Sequence, residues 1–169
     1  MSVDTFWDWS VRVYENPATQ HACLELQNRY SQDVNAVLWV SWLAMDGRSP
    51  TAKALSLQQD ISNDWQSGLI GGVRKARKDI TNTLEKTVQS ACAAALEAQF
   101  LALELMLEKR EQAALEILPF TISPSQTQTE SEPTRAALCR YNLKMLLNAQ
   151  GLDDPERVQA MDRLAASFF

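Results

Sequence analysis

The 169-residue chain is 46% hydrophobic with a formal net charge of −5 and a sequence pI near 4.9. It therefore has enough apolar material for one sizeable core, and an acidic balance that argues mildly against non-specific nucleic-acid binding, which relies on a basic surface. No apolar run is long enough to cross a bilayer, and the opening MSVDTFWDW has acids where a signal peptide would carry Lys or Arg. Cys23, Cys92 and Cys139 are odd in number and far apart, which argues against a disulfide framework or a zinc knuckle and fits reduced thiols in a bacterial-type cytoplasmic protein.

Five glycines, six prolines and few β-branched runs favour helices. The prolines mark helix starts: Asn16-Pro17, Ser49-Pro50 and Asp154-Pro155 each place a side-chain acceptor before a residue that lacks an N–H, the N-cap and N1 arrangement. Glu132-Pro133 is a weaker version, and Gly47 and Gly151 read as C-terminal stops. The predicted elements are a short helix over 5–14, a long one over 17–45, a short one over 50–60, and a fourth from 63 or 64 to 88. An alanine-rich fifth runs to 118, and two more cover 134–150 and 155–169. Gly68, Gly71 and Gly72 weaken the start of the fourth helix and mark a bend or a close crossing. Residues 119–133, rich in Ser, Thr, Gln and Pro, read as a mobile loop, with 121–133 its most flexible part. The expectation is an all-α, single-domain bundle of six or seven helices over 1–169.

The stretch 6–44 holds four of the five tryptophans, Trp7, Trp9, Trp39 and Trp42. At 3.6 residues per turn, Cys23, Leu26, Tyr30, Val34, Val37, Leu38, Ser41 and Met45 form one stripe of the long second helix, with Gln27 inside it. The C-terminal half is apolar all round, as a central core helix or a partner-facing surface would be. Read as one helix, it puts Asp33 and Asn35 on opposite edges of the stripe, where they cannot act together. Trp7 and Trp9 cannot both point inward, so one packs on the second helix and the other lies at a rim or interface. The four tryptophans are the candidate interface.

Arg74, Lys75, Arg77 and Lys78 read as a solvated basic face, an anion site or a surface for an acidic partner on the fourth helix. Glu97, Glu104, Glu108 and Glu111 align on the fifth and read as a solvated acidic stripe, opposite small residues Val88, Ala91, Ala95, Ala98 and Ala102 that permit close packing. His21 is the single histidine. There is no Glu-x-x-His for a di-metal site, no phosphate loop and no nucleophile motif, so the sequence names no catalytic residue, no metal and no cofactor.

Phe6-Trp7 with Ser10 and Tyr14, Ala22-Cys23-Leu24 with Leu26-Gln27, and Asp33-Val34-Asn35 with Leu38-Trp39 and Trp42-Leu43 form a pattern. It continues more weakly through Trp65 and the Arg74/Arg77 pair. This pattern resembles an uncharacterised, mainly proteobacterial family of small helical proteins, a domain of unknown function. The resemblance covers roughly the first half of the chain. The family pattern often has glycine near Ser31, which this chain lacks. The resemblance implies a small soluble helical protein, assigns no activity, and directs attention to Gln27, Asp33, Asn35, Arg74 and Arg77.

Three functions follow as expectations, the weakest being recognition of anionic lipid or nucleic acid by the basic face of the fourth helix. The first is a non-enzymatic cytoplasmic interaction or adaptor protein that meets a protein partner, or a second copy of itself, through the aromatic surface. The alternative is a small-ligand or anion binder, or an enzyme, with its pocket between the second and fourth helices. There Gln27 and Asp33 orient the ligand and Arg74 or Arg77 holds an anion.

Overall fold

A computed structural model describes residues 4–84, 90–122, 132–152 and 154–169. The elements are α1 (Phe6–Tyr14), α2 (Pro17–Tyr30), α3 (Val34–Met45), β1 (Arg48–Pro50), α4 (Ala52–Ser62), a π-helical segment (Asn63–Leu69), α5 (Ile70–Leu84), α6 (Ser90–Glu116), β2 (Phe120–Ile122), α7 (Glu132–Gln150) and α8 (Pro155–Ala166). Since α4, the π segment and α5 run on without a break, the described residues form seven helical rods, an all-α bundle. No described helix is long and apolar enough to cross a membrane.

Asn16 and Asp154 cap α2 and α8 from just before Pro17 and Pro155, as the sequence indicates. Gly47 and Gly151 take the positive φ that ends a helix. Three expectations need correction. Ser49-Pro50 does not start a helix: both residues lie in β1, and Thr51 caps α4 by accepting from the Ala54 amide. The expected loop begins with a strand, because Phe120–Ile122 pairs antiparallel with Arg48–Pro50, and the remainder of that loop, 123–131, lies outside the described residues.

The third correction matters most. The long second helix is two helices. Ser31 adopts a left-handed φ of 54°. Its amide bonds to the Gln27 carbonyl and the Gln32 amide to the Leu26 carbonyl, both at 3.1 Å, closing α2 with a Schellman-type turn. Asp33 then caps α3, its Oδ1 accepting from the Asn35 amide at 2.9 Å. Asp33 is therefore not on a helix face at all, and its side chain bonds the Asn35 amide instead of standing on the opposite edge from it.

α3 is the central helix. Trp39, Val40, Val37 and Ala36 are fully buried. α7 packs against it, α8 packs on α2, and α6 crosses α1, α3 and α4 on the other side. Three of the four tryptophans proposed as an interface belong to this core. Trp39 is fully buried, Trp42 stacks at 5.5 Å on Phe6, and Trp9 lies 5.5 Å from Phe168. Asn142 pins the base of the bundle, donating to the Val40 carbonyl at 3.0 Å and the Arg48 carbonyl at 2.8 Å.

A left-handed serine costs about 1 kcal/mol that glycine avoids. Ser31→Gly is expected to stabilise the protein by about 1 kcal/mol in urea unfolding. A loss of stability would contradict the reading of Ser31 as a strained C-terminal stop.

Candidate functional site

With α2 and α3 set at an angle, a space of about 320 Å3 opens among α1, α2, α3, the π segment, α5 and α6. One wall is largely apolar, built from Trp7, Val11, Tyr14, Val34, Leu38 and Leu105. The other wall is amide-rich and charged, built from Gln27, Asn35, Gln66, Gln112, Arg74 and Glu108. A second concavity of about 390 Å3, more polar, backs onto it through Gln27, Gln66 and Arg74, and includes Asp33 and Ser62.

The polar wall is one continuous hydrogen-bond network. Ser10 Oγ donates to Gln112 Oε1 at 2.9 Å, Gln112 Nε2 to Asn35 Oδ1 at 2.9 Å, and Asn35 Nδ2 to Glu111 Oε2 at 2.6 Å. From the other side, Arg74 donates to Gln66 Oε1 at 3.0 Å, and Gln66 Nε2 to the same Glu111 oxygen at 2.7 Å. Two relays of donors thus converge on one carboxyl oxygen, and each of the three amides uses both its oxygen and its nitrogen. This fixes their orientation.

Glu111 also meets Asp33. Two carboxyl groups can hydrogen-bond only if one carries a proton. Asp33 accepts from the Asn35 amide and from Ser62, whose hydroxyl receives Gln58 Nε2 at 2.7 Å and so is free to donate. It is the better-supplied anion. Glu111 Oε1 is buried without a donor, which leaves it to bear the shared proton. Burial first, and then the Asp33 charge, push Glu111 up to about 8. Burial also raises Asp33 and Glu108 above the ordinary carboxyl range.

Behind the wall, α5 and α6 meet along a charged seam. Arg77 Nε donates to Glu104 at 2.6 Å, Arg74 to Glu108 at 2.7 Å, and Glu97 lies 3.7 Å from Arg77. This corrects two expectations. Glu104 and Glu111 are buried rather than solvated, and Arg74 and Arg77 both pair with Glu104. Of the small residues expected to pack closely, Ala95, Ala98 and Ala102 are open to solvent, while Val88 and the Ala91 side chain lie outside the described residues. Lys75 and Lys78 do remain exposed.

The π segment positions Gln66. A Cβ on Gly71 would stand 2.4 Å from the Gln66 carbonyl oxygen, so glycine is required where the wider helical turn brings that carbonyl close. Of the residues singled out in the sequence, Gln27, Asn35 and Arg74 line the main cavity, Asp33 lines the second, and Arg77 stays in the seam outside both linings. Trp7 is the one tryptophan of the four in the cavity wall. Sequence reasoning missed Gln66, Glu111, Gln112 and Ser10. The available signal was the matched spacing of Arg74 and Arg77 against Glu104 and Glu108 on successive helices, which suits an antiparallel seam. No group of three or more His, Cys, Asp or Glu among the described residues could hold a metal ion.

A family model described as "Protein of unknown function (DUF2390)" matches residues 5–115. The chain belongs to that family. The match spans α1 through almost all of α6 and includes every residue of the network, from Ser10 to Gln112. Comparison with curated proteins and with solved structures gives no match.

The proton on Glu111 makes stability pH-dependent. In the unfolded chain this carboxyl ionises in the ordinary range, whereas in the folded protein it holds its proton up to about 8. The folded state binds more protons between those values, so stability falls as pH rises through the window and the loss is complete above the folded value. Urea unfolding from pH 5.5 to 8.5 should show this decline, at no more than about 1.4 kcal/mol per pH unit. Glu111→Gln keeps a donor toward Asp33 without a proton to lose. Its pH profile should be flatter and its stability at pH 8.5 higher than wild type; an unchanged slope would contradict the assignment.

Proposed function

We propose that the chain is a small-molecule-binding protein and that the cavity of about 320 Å3 is its binding site. The observation that carries this is the pairing of walls. A hydrogen-bonded amide network, fixed from both ends, faces an apolar and aromatic wall across one space. That is the composition by which pockets bury a ligand's body and orient its polar end. The network's supports are deep and costly, since buried polar groups must all be satisfied. Six polar side chains held in one relay beside a cavity favour a site over core filling.

Binding is favoured over catalysis because Glu111 lies behind Asn35 and Gln66, outside the lining of the main cavity. Its partner Asp33 reaches only the second concavity. An adaptor role through an exposed aromatic surface has less support, because Trp9, Trp39 and Trp42 are in the core. A cytoplasmic setting fits the three free thiols.

Leu105 is 54% exposed at the cavity rim, so a larger side chain there can fill the space without disturbing the core. The neutral apolar fluorophore N-phenyl-1-naphthylamine should bind the wild-type protein saturably, with a rise in emission. Leu105→Trp should abolish that binding while the melting temperature stays within about 2 °C. Absence of saturable binding to wild type, or equal binding by the variant, would overturn the reading.

A further inference from the structure

We propose that the cavity selects a small organic cation, an ammonium group carried on an aryl or alkyl body. This rests on the reading of the cavity as a binding site and adds its charge preference.

The lining carries two carboxylates, Glu15 and Glu108, and one guanidinium, Arg74. That guanidinium is already engaged: it donates to Glu108 at 2.7 Å, its Nε lies 3.5 Å from Glu104, and a third nitrogen donates to Gln66. An entering anion would meet an arginine whose charge is cancelled by carboxylates on both sides. Behind the wall the Asp33–Glu111 pair retains further negative charge. The expected anion site is thus turned around, because the arginines serve the acids of α6.

The opposite wall suits a cation as well. The faces of Trp7 and Tyr14 rings attract positive charge through their π electrons. Trp7 already draws one cation, Lys109 Nζ, at 5.1 Å from the ring centroid, and Lys109 is not itself among the lining residues. The cavity also offers Gln27, which lines both concavities and whose side chain has no hydrogen-bond partner among the described residues. Its carbonyl oxygen is a ready acceptor for an N–H.

A free amine and a lysine side chain of a partner offer the same chemistry. The test uses the full chain with phenethylamine, 2-phenylethanol and phenylacetate, which share a ring and differ in charge, and with a short peptide carrying one central lysine. Titration calorimetry at neutral pH and low salt should rank phenethylamine above 2-phenylethanol by on the order of tenfold. Phenylacetate should bind most weakly. Glu108→Gln leaves Arg74 less compensated and should move the preference toward phenylacetate. Glu15 is exposed, so Glu15→Gln does not endanger folding; it should weaken phenethylamine several-fold and leave 2-phenylethanol unchanged. Tighter binding of the peptide than of phenethylamine would assign the cation to a partner protein and keep the charge preference. Equal or tighter binding of the alcohol or phenylacetate by wild type would overturn the proposal. If the neutral fluorophore binds and all charged probes fail, the charge preference is wrong while the site stands. If nothing binds, the site reading itself fails.

Discussion

The carboxyl group of Asp33 ties the molecule together. It caps α3 through the Asn35 amide, accepts from Ser62 at the end of α4, and shares a proton with Glu111 on α6. Three helices are thereby fixed at one point. The same point is the break between α2 and α3, and side chains of both helices line the cavity. The cost of this junction is the burial of two acids side by side, which is tolerable only because one stays neutral and the other is surrounded by donors. With Glu111 protonated on one oxygen, its second oxygen is left to collect Asn35 and Gln66, and from these the wall of the cavity is built.

The α5–α6 hairpin follows from the same demand. A pair of helices joined in solution would normally bury apolar residues between them and expose its charges. Here the seam holds Arg74, Arg77, Glu97, Glu104 and Glu108, and apolar side chains of α6 such as Leu101 and Met106 are exposed. Arg74 cannot be removed from this arrangement without cost, because it both neutralises Glu108 and orients Gln66. The π segment complements it. Its wider turn and the side-chain-free Gly71 let the Gln66 carbonyl come close, and the Gln66 side chain spans from Arg74 to Glu111.

Much of the frame is legible in the sequence because it depends on local chemistry. The acceptor-proline starts at Asn16 and Asp154 and the glycine stops at Gly47 and Gly151 act within one turn of the chain. The break at Ser31 is not legible in that way, since serine carries no left-handed preference and the apolar stripe runs on across it. A glycine there would have marked it. The strand over Phe120–Ile122 needs a partner some seventy residues earlier and leaves only a faint local trace. The acids of α6 were misread for a different reason. Helical spacing shows that Glu104, Glu108 and Glu111 share a face but says nothing of what that face meets. Only the antiparallel placement of α5 turns a stripe that looks solvated into a half-buried, ion-paired seam around Glu104.

The most direct test is the carboxyl carbon of Glu111, followed by 13C NMR in selectively labelled protein across a pH titration. One proton held between Asp33 and Glu111 predicts that the Glu111 signal stays at its protonated position through neutral pH and moves near 8, with Asp33 responding to the same event. A Glu111 signal that titrates as an ordinary, independent carboxyl group would contradict the shared proton, and with it the account of how the junction, the network and the cavity are held.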